Sequence, residues 1–443
     1  MSAPLAAAIV QDLEESHYVP PVPQSIEQTG LADSLLEQLI LKTLYSGGDI
    51  LGRDVANNLG LKFSLIDGIL DFLKRHHLVE VKRSSGFGNL SALFALSEAG
   101  RTRARECLEV NQYAGRAPVP ISQYTEAARK QRPLEGWLTR DNLAAAFRHM
   151  VVDQLNFSKL GPAINNGKSF LLYGKAGNGK TYLAEALVNI ERSAIYVPYA
   201  IESQGSIIQM FDPIYHKLVE QTENSLSSLA FEPLYDGRWA HCQRPFIVTG
   251  GELTLEMLDL SYNPSARVYD APFQIKANNG IYLIDDFGRQ KVAPAALLNR
   301  WIIPMDRRVD YLTFHTGGKV AVPFETFLIF STNLQPEELG DEAFLRRIQY
   351  KMCLKSPGKG EFIEIFERYC ISVNLHCPRP LLDRFLDKHY GRTGKEYRRC
   401  HPGDVLTHAI DLMRFEELPL ELNEDILDLA FESCFLEAQT IAD

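Results

Sequence analysis

Gly174-Lys175-Ala176-Gly177-Asn178-Gly179-Lys180-Thr181 is the stretch on which the reading of this chain turns. The apolar run Ser169-Phe170-Leu171-Leu172-Tyr173 precedes it, and Tyr182-Leu183-Ala184-Glu185-Ala186-Leu187 follows with helical spacing. Strand, glycine loop and helix in that order are the context in which G-x-x-x-x-G-K-[ST] cradles phosphate. Gly174, Gly177 and Gly179 free the backbone to aim successive N–H groups into one concavity, which Asn178 also borders. The following helix adds its unpaired N–H groups, with Tyr182 beside the loop. Lys180 is placed to reach β- and γ-phosphates, and the Thr181 hydroxyl to ligate Mg²⁺. The expected ligand is a nucleoside triphosphate.

Length and composition set the frame. A chain of 443 residues suits about three domains, and 45% hydrophobic residues suffice for real cores. A net charge of −10 does not favour nucleic acid or an anionic membrane. No apolar run approaches a bilayer span, so no membrane insertion is expected. The short apolar stretch Pro4–Val10 lacks a basic flank and is followed by acids, which argues against a signal peptide. Seven cysteines are scattered without metal-ligand spacing and read as free thiols in a reducing, cytoplasmic setting.

Residues 1–30, with Val19-Pro20-Pro21-Val22-Pro23, read as a disordered tail. From Leu31 three helical patterns follow, the third running from Phe63 to His77. Two strand patterns, 78–82 and 90–96, come next, then a final helix. This stretch, 31–110, resembles a winged helix-turn-helix of the kind found in transcription regulators. Its ten acidic and ten basic residues cancel, and Asp67 and Asp71 on the third helix would face phosphates in a groove. A protein-docking role is therefore preferred, with DNA contact as the alternative. Residues 111–135 read as a linker, an extended Pro-containing stretch to Pro120 and then a short polar helix. A helix over 140–160 is expected to lie near the base of the nucleotide.

Gly280-Ile281-Tyr282-Leu283-Ile284-Asp285-Asp286 is an apolar strand ending in carboxylates at the end where phosphates would sit. Asp285 is the expected Mg²⁺ ligand, through water, and Asp286 the group that polarises attacking water. A third apolar strand, Thr326–Thr332, ends in Asn333 and precedes Asp341-Glu342-Ala343-Phe344-Leu345-Arg346-Arg347.

In combination these motifs resemble the AAA+ ATPases over roughly 140 to 415. The fold class implied is an α/β parallel-sheet P-loop domain over 136–355, with a helical lid over 356–443 and the winged-helix-like domain ahead of them. The resemblance makes Asn333 sensor 1 and assigns a trans-acting arginine finger to Arg347 or, as second choice, Arg346. It assigns sensor 2 to Arg398 or Arg399, with Arg398 preferred. It also implies ATP and Mg²⁺ as ligands and a homo-oligomer, a ring of six. His401 reads as a packing residue at a helix start.

Phe273–Gly280 and the hairpin 311–323, turning at Gly317-Gly318, are similar to segments of MoxR-type and enhancer-binding members. The interval 200–272 sits where those groups carry a loop insertion, but the enhancer-binding loop signature is absent. Asp286 stands where many members have Glu, which retracts the carboxylate by one methylene and implies slow turnover. The function read from the sequence is an oligomeric ATPase that remodels a protein partner. A DNA-associated ATPase and a slow nucleotide-dependent switch are the alternatives.

Overall fold

The computed structural model describes residues 18–84, 88–133, 138–151, 154–167, 169–190, 193–219, 234–340 and 342–435. The first 17 residues of the expected tail, the hairpin tip at 85–87, residues 134–135, 220–233, Asp341 and the last eight residues of the lid lie outside these. The described strands are β1 Ile50–Leu51, β2 Val79–Ser84, β3 Ala92–Leu96, β4 Val119–Pro120, β5 Ser169–Tyr173, β6 Ile195–Pro198, β7 Ala200–Ser203, β8 Ser206–Gln209 and β9 Trp239–Cys242. They continue as β10 Phe246–Thr249, β11 Ser261–Asn263, β12 Val268–Asp270, β13 Ile281–Ile284, β14 Val309–Thr313, β15 Lys319–Pro323, β16 Phe327–Thr332 and β17 Tyr350–Cys353. Two compact units share the chain. One comprises Met1–Trp137, Arg192–Leu283 and Gln290–Leu328; the other comprises Leu138–Glu191, Ile284–Arg289 and Ile329–Asp443.

In the first unit the helices Asp33–Gly47, Gly52–Leu59 and Phe63–Arg75 bury the leucine and isoleucine positions that the 3.6-residue period picks out. β2 and β3 pair antiparallel, with Val79 opposite Leu96, and β1 adds to β3. The three helices and the hairpin expected for 31–110 are thus present. Their independence is not. One core joins Leu36, Ile40, Leu59 and Phe94 to Ala200, Ile207 and Val268 of the 200–272 interval. That interval is no simple loop: β7, β8, β11 and β12 form a five-stranded sheet with β4, in the order β11-β12-β8-β7-β4.

Two devices weld these parts. Gly60, in the left-handed region at φ +67°, lies against Gly237, where a Cβ would come 2.4 Å from the Gly237 carbonyl oxygen. Arg238, fully buried, pairs with the equally buried Asp236 at 2.8 Å and donates to the carbonyls of Thr29 and Pro118 and to Gln123.

The same contacts correct two expectations. Residues 18–30 do not continue a disordered tail. Pro20 accepts from the Asp236 N–H, and the helix Ile26–Thr29 ends in a buried Thr29. Nor are residues 111–133 a linker. Ala117 and Val119 are fully buried, and the helix Ile121–Lys130 buries Tyr124, Ala127 and Ala128. Small alanines let that helix approach closely enough for Ala128 to accept from Asn279, a packing role that a composition scan reads as polar and weak.

In the second unit the helix expected over 140–160 is broken. A helix Arg140–Ala146 is followed by turns at 147–150, and a second helix runs Gln154–Asn166. β5 is buried along Ser169–Leu172, and all six residues of β16 are buried, as strands covered on both faces require. β5 and β17 pair parallel, with Phe170 opposite Tyr350. The parallel partner of β5 thus comes from far along the chain, and the glycine loop leaves the carboxyl end of β5. Ligands of open α/β sheets bind at the carboxyl end of such a strand. Helices Lys359–Ser372, Arg379–Leu386, His401–Phe415 and Glu424–Cys434 close around a core of their own, including Phe366, Phe385 and Leu406. Among the described residues no helix is long and apolar enough to cross a membrane.

Candidate nucleotide site

The loop after β5 depends on its glycines for shape. Gly174, Gly177 and Gly179 have φ of +140°, +77° and +81°, values that favour glycine. Space is also restricted: a Cβ at Gly174 would meet the Leu354 carbonyl oxygen at 2.5 Å, and one at Gly177 the Cys400 Sγ at 2.7 Å. Asn178 is buried beneath the loop, its Nδ2 donating to Leu354 O and Ser356 Oγ, each at 3.3 Å. This is a cradle with backbone on one side and no side chain to fill it.

Lys180 Nζ donates to Gly174 O at 2.9 Å, Lys175 O at 3.2 Å and Asn333 Oδ1 at 2.7 Å. Burial pulls its pKa below the ordinary lysine value, and the carboxylates of Asp285 and Asp286 oppose that shift. Asn333 in turn donates from Nδ2 to Asp286 Oδ1 at 2.9 Å, so one amide bridges the lysine and a carboxylate. Asp286 sits at φ +46°, which turns the chain sharply after β13. The Phe287 N–H bonds to Ser331 O, and the Thr332 hydroxyl to Phe287 O at 2.6 Å. These two bonds lock that turn to β16, whose last residue precedes Asn333. Thr181 Oγ1 donates to Asp285 Oδ2 at 2.7 Å.

These groups line one cavity of about 870 Å³, within the range of small-molecule sites. Gly177, Gly179, Lys180, Thr181, Asp285, Asp286 and Asn333 contribute, as does half-exposed Tyr182. The Tyr182 ring meets His149 edge-on at 5.7 Å. Met150, Val151, Ile365 and Tyr369 supply an apolar wall.

The remaining expected residues divide. Arg399 lines the cavity, donating to Val151 O at 2.7 Å and pairing with Glu361 at 3.3 Å. Arg398, the preferred sensor 2, does not line it; its guanidinium reaches Ser356 Oγ at 2.7 Å and Glu396 at 2.9 Å. Arg346 is exposed and Arg347 half-buried just before β17, and neither lines the cavity. His401 is buried against the Tyr390 hydroxyl at 2.9 Å, and burial lowers its pKa to about 4, which fits packing rather than proton transfer.

Sequence reasoning missed Arg289, Cys400 and the lid wall. Ile365, Arg368, Tyr369 and Ser372 do recur at helical spacing. Their mixed chemistry hides which face they share.

Residues 358–433 match a family described as Domain of unknown function (DUF8689). No curated protein matches the chain. Among solved structures, the chain is similar to NtrX from Brucella abortus in complex with ADP, with TM-score 0.40 and 12% identity over 78% of this chain and 73% of that one. A mutant RuvB from Thermogota maritima gives TM-score 0.37 and 15% identity over 64% and 70%. A second Brucella abortus NtrX structure gives TM-score 0.31 and 12% identity over 53% of this chain, which spans 45% of that one. At identities and scores this low, the site itself carries the functional argument.

Proposed function

We propose that this protein is an AAA+ ATPase that binds and hydrolyses ATP in an oligomer to remodel a protein partner. The observation that carries the reading is the chain Lys180–Asn333–Asp286, set beside Thr181–Asp285 above a glycine cradle. Lys180 exchanges its carbonyl bonds for β- and γ-phosphate oxygens. Asn333, released from the lysine, holds the attacking water, and the Asp286 carboxylate draws its proton. The hydroxyl of Thr181 and, through water, the carboxylate of Asp285 would hold Mg²⁺, which such hard oxygen donors suit. Mg²⁺ bound there would neutralise charge on the β- and γ-oxygens.

Arg347, with Arg346 as second choice, serves a neighbouring subunit's γ-phosphate in a homo-oligomer, taken as a ring of six. Arg399 is the better candidate for sensor 2, because it already lines the cavity. In 31–110, the winged-helix-like part, Asn89 donates to both Asp67 and Asp71, and Lys74 pairs with Asp71 at 2.7 Å. That face bonds its polar groups to one another and carries no basic excess, which supports docking of protein rather than DNA.

Calorimetric titration with MgATP and MgADP tests the reading. Wild type should bind both, and Lys180→Ala should lose both by about a hundredfold or more, since charge-assisted bonds to phosphate are lost. Equal affinity in Lys180→Ala, with an unchanged melting profile, would remove the phosphate-binding role.

A further inference from the structure

Four arginine or lysine side chains line the cavity: Lys180, Arg289, Arg368 and Arg399. Three are engaged. Lys180 holds two loop carbonyls and Asn333. Arg368 donates to the Arg148 and Met150 carbonyls and pairs with Glu364. Arg399 donates to Val151 O and pairs with Glu361. Arg289 is different: its side chain is exposed, and its guanidinium has no hydrogen-bond or ion-pair partner among the described residues.

Its backbone, by contrast, is held firmly. The Arg289 N–H donates to Asp286 O at 3.0 Å. Between them, Phe287 is fully buried and bonded through its N–H and carbonyl to β16. Gly288, at φ +101°, packs so closely that a Cβ would meet Leu334 Cδ1 at 2.6 Å. Arg289 thus leaves a rigid turn that also carries Asp286 and is tied to the strand leading into Asn333. The nucleotide to be received carries several negative charges, and Lys180, Arg368 and Arg399 must each give up or share existing partners to meet them, whereas Arg289 need not. A free planar fork on a fixed base suits three-oxygen phosphate groups better than a mobile lysine would.

We propose that Arg289 binds the γ-phosphate of the nucleotide held by the same subunit, and so sets preference for triphosphate over diphosphate. This rests on the nucleotide reading above. The group acts in cis and is separate from an arginine supplied by a neighbour.

The test is calorimetric titration of the full chain with Mg²⁺ and either ADP or the non-hydrolysable analogue adenylyl imidodiphosphate. Arg289→Ala should weaken the triphosphate analogue about ten- to hundredfold, the range for losing a hydrogen bond between charged groups. ADP affinity should stay within about threefold, and Arg289→Lys should fall between wild type and Ala because charge returns without the fork. An unchanged melting temperature, expected for an exposed side chain, shows that the variants fold. A wild type that binds both ligands, with the triphosphate-to-diphosphate ratio unaltered in Arg289→Ala, overturns this inference and leaves the P-loop reading standing. A wild type that binds neither ligand overturns both.

Discussion

At the scale of single residues, the site is held by positions that tolerate little change. A methyl group at Gly177 would carry both an unfavourable backbone angle and a contact 2.7 Å from the Cys400 sulfur. Gly177→Ala should therefore reshape the loop and weaken nucleotide binding by about tenfold or more, a 1.4 kcal/mol effect. Titration calorimetry measures this, and wild-type affinity in the variant would mean that the observed loop shape is not the one that binds. Asp286 is the proposed base. Asp286→Asn keeps a group able to meet Asn333 but loses the capacity to accept a proton. It should retain ATP binding within a few-fold and lose turnover by about 10²-fold or more, the span of general-base contributions. A phosphate-release assay decides, and an undiminished rate would take the base role from Asp286.

At the scale of elements, the structure sorts what local sequence encodes from what it does not. The strand, loop and helix around Lys180 are legible because every residue they need lies in one short stretch. So are Ile281–Asp286 and Phe327–Asn333, whose apolar runs end in polar groups. The interval 200–272 is not legible in this way. Its strands are only three or four residues long, and its sheet borrows β4 from far upstream while its core borrows Leu59 and Phe94. Pairings across such separations leave no periodic mark. The helix Ile121–Lys130 is legible as a short polar helix, but its packing is not, since it buries only Tyr124 and two alanines.

The Gly60–Gly237 contact tests this shared core. Gly60→Ala should destabilise the first unit by about 2 kcal/mol or more, because the residue must hold a positive φ and its Cβ meets backbone. Chemical denaturation checks it, and an unaltered midpoint would argue that the two parts fold separately.

The C-terminal helices supply a pH-dependent prediction. His401 titrates near 4 when folded, against 6.5 for a free imidazole, chiefly through burial, with Lys395 and Arg398 adding to the shift and Asp404 opposing it. Between those values the unfolded chain binds a proton that the folded chain refuses, so this contribution to stability is lost as pH falls from about 6.5 toward 4. His401→Gln, which can still accept from Tyr390, should show a smaller fall in melting temperature between pH 7 and pH 4.5 than wild type. Equal falls would mean that His401 is not held neutral in the folded lid.

At the scale of the whole molecule, the helices, hairpin and inserted sheet of the first unit share one core. A partner that docks on the first unit would meet a single body rather than a tethered module. The arginines assigned to a neighbour, Arg347 and Arg346, lie outside the cavity of their own chain. If either serves as the proposed finger, full activity requires assembly, and head-to-tail contacts of this kind close into rings or run on as filaments. Arg347→Ala should leave ATP affinity nearly intact and lower turnover about 10³-fold, the range of such fingers. The most direct measurement is the steady-state rate of MgATP hydrolysis by the full chain across a range of protein concentrations, with Lys180→Ala as the blank. The account predicts turnover that rises per subunit with concentration and vanishes in Lys180→Ala. Absence of turnover at every concentration, or the same rate in Lys180→Ala, would contradict it.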